Sequence, residues 1–197
     1  IEMTPNSFVS EPSSSFFFTL GIIGSTEKNK GQLIAVKAMK ILNEKWNGKF
    51  RLKIIGKTRG IDYFSDIQQF IKKNNMASYI DYCGEIEDQE KIYQDLDIVL
   101  LCSYEEAFGK VIIEAMKYGK LIISTNTGGI PEIIDHEIDG ILFEKGDFKG
   151  LADILDRIFE EPKLREQLIK NAFEKVKKFS LTKTNDQITK EIALLLD

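Results

Sequence analysis

Two glutamates, Glu106 and Glu114, bracket the start of a predicted helix with seven residues between them. A loop over 107–109 precedes the helix, because apolar side chains recur at helical spacing from Val111 to Met116. The first N–H groups of a helix lack intrahelical partners, and the helix dipole adds partial positive charge there. Such a helix start can hold a diphosphate, while flanking carboxylates accept hydrogen bonds from hydroxyl groups. A diphosphate flanked by a polyol is the chemistry of a nucleotide sugar.

Each of these features also has a plainer explanation. Glutamates are common at helix starts because the dipole favours them, so a purely structural role for the pair is equally consistent with the residues. Lys28 and Lys30 follow the first predicted strand, where a cation could reach a phosphate. A solvated turn is the commoner role of such lysines. From these residues alone, both explanations stay open.

Composition excludes several classes of function. The chain has 197 residues, 43% apolar and 29% charged, which suits one soluble α/β domain. A net charge of −4 gives no reason to expect a nucleic-acid partner. One histidine and two cysteines form no pattern with metal-ligand spacing, so we expect no metal. Cys83 and Cys102 end apolar runs, which favours buried free thiols. Without an apolar run of about 20 residues or a signal peptide, we expect a cytoplasmic protein.

Common nucleotide and hydrolase motifs are missing from the sequence. No glycine pair precedes Lys-Ser or Lys-Thr, and no G-x-G-x-x-G follows the first strand. No serine has the G-x-S-x-G context of a hydrolase nucleophile. These absences argue against a dinucleotide redox cofactor and against serine hydrolysis.

Strands and helices alternate along most of the chain. The hydrophobic pattern predicts strands at 16–23, 51–55, 79–83, 97–102, 121–123 and 140–143, with helices between and after them. This alternation indicates an α/β fold with a parallel sheet of about six strands. Ligands of such sheets bind beyond the carboxyl ends of the strands. The glycines and polar loops at those ends are Gly24, Gly56, Gly84, the loop 103–109 and Gly128-Gly129.

Residues 103–147 resemble the donor-binding domain of retaining glycosyltransferases of family 4, which have the GT-B architecture. The family's E-x7-E spacing is met by Glu106 and Glu114, and its Gly-Gly-x-x-Glu motif ends at Glu132. The segments IIGSTEKNKGQ, LKIIGK and CGEIED resemble the exits of its first three strands. The resemblance implies a Rossmann-like doubly wound sheet over 16–178, an interdomain hinge over 1–15, and a C-terminal helix over 179–197. That helix would cross back to an N-terminal acceptor domain preceding Ile1.

The resemblance also implies a role for each site residue. Glu106 and Lys30 would be catalytic, Glu106 facing the transferred sugar and Lys30 stabilising the leaving diphosphate. Glu114 would accept the ribose hydroxyls. The remaining predicted binding residues are Gly24, Ser25, Phe108, Gly109 and Lys110 around the diphosphate, and Gly56, Lys57, Gly84 and Ile86 around the base. No cofactor or metal is implied beyond the nucleotide-sugar co-substrate.

One position departs from the family pattern. Many members have an arginine directly after the first-strand glycine, where this chain has Ser25. Lys110 or Arg59 is therefore expected to help neutralise the diphosphate. The resemblance implies a hexosyltransferase of polysaccharide or glycolipid assembly, peripheral at the membrane as a full-length protein. We expect this chain alone to be inactive. The alternatives are a nucleotide-sugar epimerase of GT-B architecture and a non-catalytic nucleotide-binding module.

Overall fold

The computed structural model describes residues 17–107 and 109–177. The predicted hinge over 1–15, the predicted helix over 179–197 and Phe108 therefore lie outside the described residues. Among the described helices, none has the length and apolar character needed to cross a bilayer.

Strands and helices alternate as predicted. The strands are β1 (Phe18–Ile23), β2 (Phe50–Ile55), β3 (Ile80–Gly84), β4 (Ile98–Leu101), β5 (Leu121–Thr125) and β6 (Ile141–Phe143). The helices are α1 (Gln32–Lys45), α2 (Ile61–Lys73), α3 (Gln89–Tyr93), α4 (Lys110–Lys117), α5 (Phe148–Glu160) and α6 (162–177). Short 3-10 turns occupy Lys28–Lys30 and Ile130–Glu132.

All six strands pair in parallel, in the order β3-β2-β1-β4-β5-β6. Strands β1 and β4 are therefore neighbours at the centre, and the chain winds outward from them in both directions. This is the predicted Rossmann-like doubly wound sheet. The position between β1 and β4 is its topological switch point, where such sheets bind their ligands.

Helices cover both faces of the sheet. Strand β4 is apolar throughout because both of its faces are buried. Ile98 and Leu100 belong to the core beneath α1, α2 and α5. Val99 and Leu101 belong to the core beneath α3, α4 and α6. Successive strand residues point to opposite faces, so a strand buried on both sides has no polar alternation.

Glycine allows α1 to approach β4 closely. Gly31 has φ 65°, and a Cβ at this position would lie 2.1 Å from the carbonyl oxygen of Cys102. The close approach brings the turn that contains Lys30 beside the exit of β4. Cys102 itself is buried, whereas Cys83 is only partly buried, so the prediction of burial is wrong for Cys83; both thiols are free.

Candidate active site

A pocket of about 220 Å³ lies at the carboxyl ends of β1 and β4. It is therefore at the topological switch point. Its walls come from the end of β1, the end of β4 and the start of α4. The lining residues are Ile22, Ile23, Gly24, Lys30, Leu100, Leu101, Cys102, Ser103, Glu106, Gly109, Lys110 and Val111.

An ion pair crosses this pocket. Lys30 Nζ lies 2.8 Å from Glu106 Oε2, and the two side chains are 27% and 18% exposed. Ser103, which is almost fully buried, donates its hydroxyl to the same oxygen at 3.3 Å. Two donors thus hold Oε2 of Glu106, which fixes the carboxylate against the wall formed by β4.

Two glycines hold the backbone of Glu106. The N–H of Gly129 donates to the carbonyl oxygen of Glu106 at 3.2 Å. A Cβ on Gly128, whose φ is 55°, would lie 1.9 Å from that same oxygen. The Gly-Gly motif therefore lets the loop after β5 contact the loop that contains Glu106 directly.

Asn29 connects the two loops that contain Lys30 and Glu106. Its carbonyl oxygen accepts a hydrogen bond from the N–H of Tyr104 at 2.8 Å. Its side-chain amide donates to the carbonyl oxygen of Glu105 at 3.1 Å. The lysine and the carboxylate are thus held in position by backbone contacts as well as by their own charges.

Helix α4 begins at the pocket without a side-chain cap. Gly109 occupies the N-cap position with φ 54°, and no described side chain accepts a hydrogen bond from the first turn. Gly109 and Lys110 both line the pocket. The start of α4 is therefore uncapped by any described side chain at the pocket wall, an arrangement that can hold an anion.

Glu114 lies one turn inside α4 and contacts α3. Tyr93 donates its hydroxyl to Oε2 at 3.0 Å, and Gln89 donates its amide to Oε1 at 3.0 Å. Lys110 Nζ lies 3.3 Å from Oε1. Burial, with the Glu114 carboxylate beside it, raises the pKa of Tyr93 well above its usual value.

The residues predicted to hold the base lie at the same edge of the sheet but outside the pocket. Gly56 donates its N–H to the carbonyl oxygen of Gly84 at 2.7 Å, and the carbonyl of Lys57 accepts from Thr26 at 2.8 Å. Lys57 Nζ pairs with Glu85 at 2.8 Å, and Ile86 is half-buried after β3. These backbone groups already have partners, although each carbonyl retains a second lone pair.

Ser25 and Lys28 do not line the pocket. The hydroxyl of Ser25 donates to the carboxylate of Glu27, and its carbonyl accepts from Gln32 at 2.9 Å. Lys28 is exposed on the 3-10 turn. Gly24 does line the pocket, with its N–H bonded to Ile55 of β2.

The structure thus gathers Lys30, Glu106, Gly24, Gly109 and Lys110 in one pocket, with Glu114 beside it. Phe108 lies outside the described residues.

Sequence reasoning missed Ser103, Asn29, Tyr93 and Gln89. Ser103 could have been found as the first polar residue after an apolar strand. Tyr93 resembles an ordinary core residue in the sequence. Within residues 17–107 and 109–177, no group of three or more His, Cys, Asp or Glu residues is placed to hold a metal.

Comparison with known proteins decides the family. The model of the family described as Glycosyl transferases group 1 matches residues 7–175. The chain belongs to this family. The match confirms the resemblance drawn from Glu106, Glu114 and the Gly-Gly motif.

Solved structures place the chain within the GT-B fold. The C-terminal domain of LpcC, a group 1 glycosyl transferase from Francisella tularensis, matches with TM-score 0.75 and 30% identity, covering 82% of this chain and 85% of that one. HepE from Anabaena, solved in complex with UDP and glucose, matches in fold with TM-score 0.83 and 24% identity, over 90% of this chain and 48% of that chain. The chain therefore corresponds to the C-terminal half of a GT-B protein.

Curated relatives are longer than this chain. The N-acetyl-alpha-D-glucosaminyl L-malate synthase of Bacillus anthracis is 34% identical over 113 residues, which are 57% of this chain and 30% of that protein. The capsular polysaccharide biosynthesis glycosyltransferase CapM of Staphylococcus aureus is 28% identical over 166 residues, 83% of this chain and 42% of that protein. The matched segments thus cover less than half the length of both relatives.

Proposed function

We propose that this chain is the donor-binding domain of a retaining glycosyltransferase that transfers a sugar from a nucleoside-diphosphate sugar to a glycan or glycolipid. One observation carries the proposal: the pocket at the switch point combines the uncapped start of α4 with the Lys30–Glu106 pair. Glu114 lies one turn beyond on the same helix. Membership of a glycosyltransferase family supports the same conclusion.

In this proposal the diphosphate lies at the start of α4. The N–H groups at Gly109 and Lys110 and the ammonium of Lys30 would stabilise negative charge as it grows on the leaving diphosphate. These groups are in place before the reaction, so little reorganisation is needed. Phe108 would contribute as the sequence predicts. Glu106 would face the transferred sugar and the positive charge that develops at its anomeric carbon.

The nucleoside would extend from the diphosphate past Glu114 towards β2 and β3. Glu114 accepts the ribose hydroxyls in this arrangement, and backbone groups near Gly56, Lys57, Gly84 and Ile86 contact the base. Ser25 adds no positive charge where many family members have arginine. Lys30 therefore supplies most of the cationic stabilisation, with Lys110 at the rim of the pocket.

Catalysis requires a second domain in this proposal. The acceptor would bind to an N-terminal domain of the same protein, across a cleft from this pocket. The role of CapM in capsular polysaccharide biosynthesis supports a polysaccharide or lipid-linked acceptor. The family favours a transferase over an epimerase or a non-catalytic module. Localisation in the cytoplasm, with peripheral membrane contact, stays a prediction.

The experiment follows donor binding and transfer separately. The chain is incubated with UDP-, GDP- and ADP-glucose, with water and an added hexose as possible acceptors. Ligand-observed NMR reports binding, and release of nucleoside diphosphate reports transfer of the glucose to either acceptor. We expect binding of at least one donor and no release above a Glu106→Gln control. Measured transfer by the chain alone would contradict the two-domain requirement, and absence of binding to every donor would contradict the proposed function.

A further inference from the structure

Helix α3 fixes the carboxylate of Glu114 from the buried side. Tyr93 is fully buried, and its hydroxyl donates to Glu114 Oε2 at 3.0 Å. The ring of Tyr93 stacks on that of Tyr118, with centroids 4.8 Å apart and an interplanar angle of 13°. Burial and stacking on Tyr118 therefore determine where the hydroxyl lies, and the hydroxyl determines where Oε2 lies.

The other oxygen of Glu114 has a different environment. Its two partners, the amide of Gln89 at 3.0 Å and Nζ of Lys110 at 3.3 Å, belong to exposed side chains. Exposed donors of this kind exchange readily with solvent or with a ligand, because such contacts contribute little net free energy. The carboxylate thus has one oxygen held in the core and one available at the surface.

We propose that Tyr93 is a positioning residue for Glu114. It orients the carboxylate so that Oε1 accepts hydrogen bonds from the ribose hydroxyls of the donor. These hydroxyls take the place of the Gln89 amide and the Lys110 ammonium. This inference rests on the proposed function. A free glutamate side chain loses conformational entropy when a ligand immobilises it, and prior fixation removes part of that loss. The buried phenol favours its protonated form, so it stays a donor throughout the physiological pH range.

The substitution that isolates this effect is Tyr93→Phe, with Tyr118→Phe as the matched control. Both remove one hydroxyl from the same aromatic stack, but only the hydroxyl of Tyr93 donates to the carboxylate of Glu114. The backbone N–H of Tyr118, which donates to the carbonyl oxygen of Glu114, is unchanged by Tyr118→Phe. Calorimetry first identifies which of UDP, GDP and ADP the wild-type chain binds best. The affinities of all three proteins are then measured for that nucleotide and for the 2′,3′-dideoxy analogue of the same base. Melting temperatures are recorded in parallel.

For Tyr93→Phe we expect about 5- to 20-fold weaker binding of the ribonucleotide. This is less than the roughly 10- to 150-fold of a direct hydrogen bond to a charged group, because Tyr93 acts through Glu114. The dideoxy analogue lacks the hydroxyls that would donate hydrogen bonds to Glu114, so its affinity should change by less than about 2-fold. Tyr118→Phe should change the affinity for neither the ribonucleotide nor the dideoxy analogue by more than about 2-fold.

Two results would overturn the inference. Equal losses for the two ligands would assign Tyr93 a general structural role, and unchanged ribonucleotide affinity would show that Glu114 needs no support from α3. Both leave the proposed function intact. If the wild-type chain binds none of the three nucleotides, the proposed function fails, and the role of Tyr93 fails with it.

Discussion

Lys30 Nζ lies 2.8 Å from Glu106 Oε2, so the lysine expected to meet the diphosphate is paired with the carboxylate expected to meet the sugar. The two residues are 76 positions apart in the sequence and reach one pocket because β1 and β4 are neighbours. A bound diphosphate would share the ammonium with Glu106. The pair therefore holds Lys30 in place for the ligand while partly neutralising its charge.

Replacing Lys30 should weaken nucleoside diphosphate binding. Lys30→Ala removes the ammonium from the pocket, and we expect a loss of about 1–3 kcal/mol, the range of a charge-assisted hydrogen bond. Lys28→Ala is the matched control, because Lys28 is two residues away, exposed and outside the pocket lining. Calorimetry on both variants measures the difference. Equal losses would indicate a diffuse electrostatic field and would contradict the assignment of Lys30.

The two glutamates should affect different steps. Glu114→Gln should weaken nucleotide and nucleotide-sugar binding together, because in the proposed arrangement the lost charge accepts the ribose hydroxyls. Glu106→Gln should leave nucleoside diphosphate affinity nearly unchanged or slightly higher, because Lys30 is released from its carboxylate partner, and it should lower the transfer rate of the full-length enzyme. Calorimetry and turnover rates on both variants provide the comparison. Loss of nucleotide affinity in Glu106→Gln alone would show that the roles are reversed.

Gly128 should be intolerant of any side chain. A Cβ there would lie 1.9 Å from the carbonyl oxygen of Glu106, in a backbone conformation with φ 55°. Gly128→Ala should lower the free energy of unfolding by at least about 2 kcal/mol, because the clash adds to about 1 kcal/mol of strain from the left-handed backbone conformation. Gly146→Ala is the control: its φ is 81°, and its nearest neighbour would be 3.8 Å away. Chemical denaturation measures the free energy of unfolding of both variants. Equal losses would mean that the loop containing Glu106 can move away from the new Cβ, and would contradict the prediction.

The stability of the chain should fall at alkaline pH. Burial raises the pKa of Cys102 to about 12 from an ordinary 9.0, and that of Tyr63 to about 12 from 10.0. A pKa raised in the folded state gives stability that is complete below the unfolded pKa and is lost as pH rises towards the folded value. Between pH 9 and 12 the thiol alone should lower the free energy of unfolding by up to about 1.4 kcal/mol per pH unit.

Denaturant titrations across that pH window test the thiol's contribution. Cys102→Ala should reduce the pH dependence, whatever its effect on absolute stability. Cys83→Ala, which replaces a partly buried thiol, should retain most of the pH dependence of the free energy of unfolding. A slope unaffected by Cys102→Ala would show that the thiol does not ionise on unfolding.

Much of this fold could be predicted because periodicity encodes which faces are buried. Local sequence determines the apolar run at β4 and the spacing of Glu106 and Glu114. It also determines the left-handed glycine at 119, two residues after the end of α4. Contacts between distant segments do not have such a signal. The pairing of Lys30 with Glu106 depends on strand order, and the contact of Tyr93 with Glu114 depends on how α3 packs on α4.

The most direct test of the account is calorimetric titration of the wild-type chain with UDP, GDP and ADP at low ionic strength. The account predicts saturable 1:1 binding of at least one of them, weakened by Glu114→Gln and, by about 1–3 kcal/mol, by Lys30→Ala. Absence of binding to all three, or binding that neither substitution changes, would contradict a donor site at the junction of β1, β4 and α4.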